Sequence, residues 1–173
     1  MSLKLSTKNL MLLALFAAIS IILTRFLSFY LPILAVNTVR ISLGNIPIAL
    51  AGLLLGPIGG AITGIVADLI GATMFSGLGY FPGFTLSAAL VGFIPGILKS
   101  RIGESITFGK VLVIILITEV ITSIGLNTLW LTILTHVNYL VLVIPRAGIT
   151  LGMSLVYSWI IYVLYKRLHR ELH

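Results

Sequence analysis

The sequence predicts an all-α integral membrane protein with six transmembrane helices, and three observations carry that prediction. First, only 9% of the 173 residues are charged and mean hydropathy is +1.20, so the chain lacks the polar coat that a soluble domain needs. Second, six apolar runs lie at 7–25, 41–56, 58–75, 83–98, 108–132 and 146–165, near the roughly 20 residues that cross a bilayer. Third, the basic residues are sorted. With the N-terminus in the cytoplasm, Lys4, Lys8, Lys99, Arg101, Lys110, Lys166, Arg167 and Arg170 fall inside, and Arg25, Arg40 and Arg146 fall outside. Eight against three is the positive-inside pattern. Both termini are then cytoplasmic, and residues 1–173 make a single domain.

The elements follow in order. Met1 to Lys8 precede the first apolar run, and no small-residue cleavage site leads into a polar domain, so 7–25 is expected to be a span and not a signal peptide. Residues 26–39 form a longer outer connection. Gly56-Pro57 joins helices two and three almost without a loop, and Pro57 suits a first helical turn because its missing N–H has no partner there. Ser76-Gly-Leu-Gly-Tyr-Phe-Pro82 is a glycine-rich outer loop, and 99–107 is the substantial inner loop. Strands are not expected, because the apolar runs are continuous and do not alternate.

Several function classes are excluded. The chain has no cysteine, hence no disulfide, thiolate nucleophile or Cys-type metal site. Gly109-Lys110-Val111 lacks the glycine spacing and the Ser/Thr of a phosphate-binding loop. There is no HExxH and no Ser/His/Asp set, and His136 stands alone in an outer loop. No enzyme activity, cofactor or metal is expected. The net charge of +7 is accounted for by topology and calls for no nucleic acid. The tail Lys166-Arg167-Leu168-His169-Arg170 is expected to meet anionic lipid.

Polar residues gather toward the outside, which predicts a ligand pocket open to that side and capped by loops. Asn37, Thr38, Arg40, Ser42 and Asn45 surround the start of helix two; Tyr80, Phe81 and Thr85 the start of helix four; Asn127, Trp130, Thr132, His136, Asn138 and Tyr139 the outer end of helix five; Arg146 and Thr150 open helix six. Asp68 and Glu119 are the acids placed deep in the membrane. Such residues face the bundle interior, as functional groups or as neutralised structural ones. Glu119, Ser123, Asn127 and Trp130 recur at helical spacing as one stripe. Gly60, Gly64, Asp68 and Gly71 make a second, where the glycines signal close packing.

Arg40 and Arg146 are candidate grips for a ligand carboxylate, with snorkelling to lipid phosphate as the alternative, the favoured one for Arg25. Tyr80, Phe81 and Trp130 are candidates to stack on a flat ligand, with an interfacial belt as the alternative. Tyr157, Trp159, Tyr162 and Tyr165 are read as belt residues at the inner surface. Ala14 and Ala18 form a small-xxx-small pair that lets another helix approach, from this chain or a partner.

Arg40-Ile-Ser-Leu-Gly-Asn45-Ile-Pro, Gly52-Leu-Leu-Leu-Gly-Pro57-Ile-Gly-Gly60, Ala67-Asp68-Leu-Ile-Gly71, Tyr80-Phe-Pro-Gly-Phe-Thr-Leu-Ser-Ala88 and Asn127-Thr-Leu-Trp-Leu131 occur in this order. Together they resemble the substrate-capture (S) components of energy-coupling factor (ECF) vitamin importers, and the last two elements resemble the folate-specific branch. The resemblance implies a subunit of the bacterial plasma membrane that binds a vitamin at its outer face. It would then dock through helix one, by the Ala14/Ala18 motif, onto a transmembrane coupling protein carrying two ATPases, and topple to deliver the vitamin inside. Folate, a planar pterin joined through an aminobenzoyl group to a glutamate, suits the side chains. Asn45, Asn127 or a carboxylate such as Glu119 would read the pterin edge, the aromatics would cover its faces, and the outer arginines would hold the glutamate. The alternatives are an S component for another flat vitamin, pyridoxine- or thiamine-related, and an autonomous proton-coupled transporter using Asp68 and Glu119 as its relay.

Overall fold

The structure, a computed structural model, describes residues 6–33, 36–75, 80–103 and 106–172, without the side chains of 29–41, 75, 169, 171 and 172. In chain order the elements are α1 (Thr7–Arg25), β1 (Ser28–Ile33), β2 (Val36–Ser42), α2 (Asn45–Phe75), α3 (Pro82–Ile102), α4 (Phe108–Glu119), a π-helical segment (Val120–Leu126), α5 (Asn127–Thr135) and α6 (Tyr139–Leu172). Among the described residues, five helical stretches are long and apolar enough to cross a membrane: Thr7–Arg25, Asn45–Met74, Pro82–Ile102, Phe108–Thr135 and Tyr139–Leu168.

The second stretch is two helices. Gly56 has φ 87°, ψ 175°, a conformation open to glycine, and breaks α2 into 45–55 and 57–75. The halves fold back on each other: a Cβ on Gly60 would lie 2.6 Å from Gly52 Cα. Pro57 leaves the carbonyl of Leu53 without its usual i+4 donor. Lys99 supplies one instead, its Nζ donating to Leu53 O at 2.6 Å while lying 5.0 Å over the Tyr165 ring. One lysine thus ties the helix break to α3 and α6.

The segment expected to be an outer connection is an antiparallel hairpin, paired from Ser28↔Ser42 to Ile33↔Val36, so the expectation of no strands is corrected. Its sequence explains it. Phe29, Tyr30, Ile33, Val36, Thr38, Val39 and Ile41 are β-branched or aromatic. The register irregularity between Leu31 and Ile33 brackets Pro32, which has no N–H for the ladder. Helix two accordingly starts at Asn45 and not at 41.

Two other boundaries move. His136 adopts φ 56°, its N–H returning to Thr132 O at 2.9 Å, and ends α5. Asn138 then caps α6, its Oδ1 accepting from Leu140 N at 2.9 Å. Helix six therefore begins at Tyr139, ahead of the expected 146, and carries Pro145 inside it.

Backbone contact between α2 and α3 is unusually close. A Cβ on Gly52 would meet Gly92 O at 2.0 Å, one on Gly92 would meet Gly60 O at 2.1 Å, and one on Gly64 would meet Ala88 O at 2.0 Å. Small residues bring helices together where lipid offers no hydrophobic drive. Gly92→Val is expected to cost about 1–3 kcal/mol or more by overpacking, seen as a lower melting temperature in detergent. Gly148→Ala, where an added Cβ meets nothing within 4 Å, is the neutral control.

The main core joins Phe16, Leu50, Leu53, Val111, Ile114, Tyr157, Ile161 and Tyr165. Tyr157 and Tyr165 are thus not belt residues: they are 6% and 4% exposed, and with Ile161 they form the face of α6 that packs on α4. Trp159, on the other face, is 62% exposed.

Candidate functional site

Glu119 ends α4 and is buried. A buried carboxylate must be compensated. Asn45 Nδ2 donates to Oε1 at 3.1 Å and Ser123 Oγ donates to Oε2 at 2.5 Å. The guanidinium of Arg146, on α6, acts on it electrostatically. Depth explains why Asn45 is the partner. The short helix 45–55 rises about 16 Å from the break at 1.5 Å per residue. Glu119 lies as far up α4 from Phe108. Both therefore sit midway along the bundle, beneath the hairpin. Tyr157 reaches the same level and donates to Ser42 O at 2.9 Å, fixing the hairpin's end over the acid.

Beyond Glu119 the helix widens. Asn127 N–H bonds to Thr122 O, an i→i−5 ring. Ser123 still meets Glu119, but the widened turn shifts the register, so the expected stripe from Glu119 to Trp130 is not a straight α-helical one. Asn127 Oδ1 is buried and accepts no hydrogen bond among the described residues.

The aromatic residues form a wall across α3 and α5. Phe81 and Trp130 lie 5.8 Å apart at 58°, and Phe81 and Phe84 5.7 Å apart at 67°. Gly83 permits this: a Cβ there would lie 2.4 Å from the Phe81 ring and 2.6 Å from Trp130. Trp130 Nε1 donates to Ser87 Oγ at 3.1 Å. One turn further along α3, Val91 lines a cavity with Asn45, Glu119 and Tyr157. The same face of α3 therefore leads from the aromatic wall to the polar centre. The cavity measures about 10 Å³, room for one water, so it is not itself a chamber for an organic ligand.

The structure thus brings Asn45 and Glu119 together, with Arg146 acting on Glu119 electrostatically, and Phe81 with Trp130. Tyr80 is 44% exposed, and its hydroxyl lies 3.2 Å from Thr85 Oγ1. Thr85 Oγ1 also lies 2.7 Å from Asp68 Oδ2, so Asp68 is occupied between α2 and α3. No hydrogen-bonded chain joins Asp68 to Glu119 among the described residues. Arg40 pairs with Tyr30 in the hairpin, and its side chain lies outside the described residues, as does the glycine-rich segment 76–79. Ala14 and Ala18 lie on the exposed face of α1, beside Leu15 and Ile19 and away from buried Leu13, Phe16, Ala17 and Ser20. Sequence reasoning missed Ser87 and Tyr157. Ser87 is a small residue in an Ala-rich run, and only its partner 43 positions away singles it out.

Comparison with known proteins gives the chain a family and a fold. Residues 8–169 match the family model of the ECF transporter substrate-specific component. The folate transporter FolT of Clostridium novyi is 34% identical over 152 residues, 88% of this chain and 84% of that protein. The folate transporter FolT of Leuconostoc mesenteroides is 26% identical, over 83% of this chain and 76% of that protein. A crystal structure of FolT bound with folic acid superposes with TM-score 0.80 and 30% identity, over 94% of this chain and 95% of that one. The S component for biotin from an ECF-type transporter shares the fold at TM-score 0.75 and 22% identity, over 98% and 95% of the two chains. The chain belongs to the substrate-specific components of ECF transporters, a family of membrane proteins.

Proposed function

We propose that this chain is the folate-binding subunit of an ECF importer in a bacterial plasma membrane. It captures folate at the hairpin end, facing outward, and releases it inside after docking on a coupling protein with two ATPases. The observation that carries the reading is the likeness to a folic-acid-bound FolT at 30% identity over 94% of the chain. The side chains fit. Glu119 has lone pairs left beyond the two hydrogen bonds it accepts, and Asn127 Oδ1 is a buried acceptor without a donor. Those acceptors suit the amino edge of a pterin, and Trp130 and Phe81 offer it an aromatic wall. The half-length helix 45–55 ends at Asn45 beneath the hairpin, so its polar N-terminal residue faces the side from which the ligand would enter. Both halves of α2 count as membrane helices here, giving six, with the termini on the cytoplasmic side.

Arg146 works on Glu119 and Arg40 sits in the hairpin above, so the arginines divide the ligand. Arg146→Ala is expected to weaken folate and pteroate, which lacks the glutamate, by the same factor. Arg40→Ala is expected to weaken folate more, by the roughly 1.5–3 kcal/mol of a charge-assisted bond. Competitive binding of the two ligands to each variant checks the split.

The exposed face of α1 supports docking through Ala14 and Ala18. Ala14→Trp and Ala18→Trp are expected to leave folate affinity unchanged and to lower uptake at least about tenfold, because a bulky residue blocks close helix approach. Binding in detergent and uptake into proteoliposomes with the coupling module test this. Uptake should also depend on ATP. Concentrative folate uptake by this chain alone would instead favour an autonomous transporter.

A further inference from the structure

The far end of α6, remote from the ligand site, carries a groove of 580 Å³ lined by Tyr162, Val163, Lys166, Arg167 and Arg170. Three of these five are cations and none is an acid. Its floor is aromatic through Tyr162, which Phe108, at the start of α4 and 38% exposed, meets edge-on at 6.1 Å and 77°. Along the helix the surface changes character within three turns. Trp159 is 62% exposed, Val163 and Leu164 follow at 36% and 38%, and then the cations begin. At 1.5 Å per residue, Trp159 to Arg170 spans roughly 16 Å. An apolar stretch, an aromatic at the interface and a cluster of cations beyond it repeat, in order, the acyl chain, glycerol region and phosphate of a phospholipid.

We infer that this groove binds the headgroup of an anionic phospholipid, with the phosphate held by Lys166, Arg167 and Arg170 and the acyl chains running down past Tyr162 and Trp159. A free phosphate ion would use the cations but would leave the aromatic floor and the exposed apolar run unused. A soluble protein partner would likewise meet only the polar end. The inference does not depend on which vitamin the other end binds.

Trp159 makes the test direct, because Trp130 is the one other tryptophan and lies at the opposite end. The full chain is placed in phosphatidylcholine nanodiscs containing a minor fraction of brominated phosphatidylglycerol or brominated phosphatidylcholine. Quenching is read as the difference between wild type and Trp159→Phe. Each cation near a membrane surface favours anionic lipid roughly fivefold. Half-quenching by brominated phosphatidylglycerol is therefore expected at a fraction on the order of a hundredfold below that for brominated phosphatidylcholine. Arg167→Gln and Arg170→Gln should each shrink the preference about fivefold. The triple substitution K166Q/R167Q/R170Q should abolish it, with ligand binding at the other end unchanged as the check on folding.

Equal quenching by the two lipids in wild type would overturn the inference. So would a preference that survives the triple substitution. Reversal of the quenching by millimolar inorganic phosphate would assign the groove to a free anion. If the cations serve only to offset the helix dipole, the substitutions would lower stability equally in every lipid and leave no lipid preference to lose. Loss of association with the coupling module in pure phosphatidylcholine, with no lipid preference in wild type, would give the surface to a protein.

Discussion

Glu119→Ala is expected to lower folate affinity about a hundredfold or more, the largest effect of any single substitution at the site. Two losses combine. The ligand loses its acceptor, about 1–3 kcal/mol for each donor left unpaired. The protein loses the hub that Asn45 and Ser123 both donate to, so two further side chains are released. Arg146 also loses the electrostatic attraction of Glu119. Glu119→Gln keeps shape and one acceptor oxygen, so its effect should be nearer tenfold. Isothermal titration with folate gives the affinities, and thermal unfolding of the unliganded variants separates the structural part. An affinity loss matched by no change in unliganded stability would mean that Asn45 and Ser123 find other partners.

Trp130→Ala is the second large effect, expected at roughly ten- to a hundredfold. Stacking of a flat heterocycle on an aromatic side chain is worth about 1–3 kcal/mol. The substitution also strips the nearly fully buried Ser87 hydroxyl of its donor and unpacks Phe81 from the wall. Trp130→Phe should recover the stacking but not the bond to Ser87, and so fall between wild type and Ala. Fluorescence of the pterin itself, which needs no protein tryptophan, reports all three affinities. Equal affinity for the Ala and Phe variants would mean that the indole serves the Ser87 bond and not the ligand.

The membrane class was legible because it rests on quantities that composition fixes: hydropathy, charge scarcity and the sorting of Lys and Arg. The break at Gly56-Pro57 was legible because both residues have backbone requirements of their own. What stayed hidden depends on partners distant in sequence. The hairpin at 28–42 lacks clean alternation, and Pro32 inside β1 argues locally against a strand. Its cross-strand pairing decides the matter. The π segment shifted a stripe drawn on α-helical spacing, because Val120–Leu126 carries no local signal for a wider turn. Tyr157 and Tyr165 look like interfacial aromatics until their neighbours on α4 are known. Ser87 is invisible without Trp130. Asn45 and Glu119 were each suspected separately, as a polar helix start and a membrane acid. Their bond across 74 positions follows from two helices that run to the same depth.

The most direct test of the account is a titration of the purified, unliganded chain, without ATP or coupling module, against a panel of vitamins with tryptophan fluorescence as the signal. Trp130 stands in the proposed wall, so folate should quench it saturably, while biotin, thiamine and pyridoxine should not at the same concentrations. Trp130→Phe should remove the signal while calorimetry still detects binding. Saturable binding of another vitamin with no response to folate would contradict the folate assignment, though not the family. A folate response that appears only with ATP and the coupling module present would contradict the central claim that this chain captures its substrate alone.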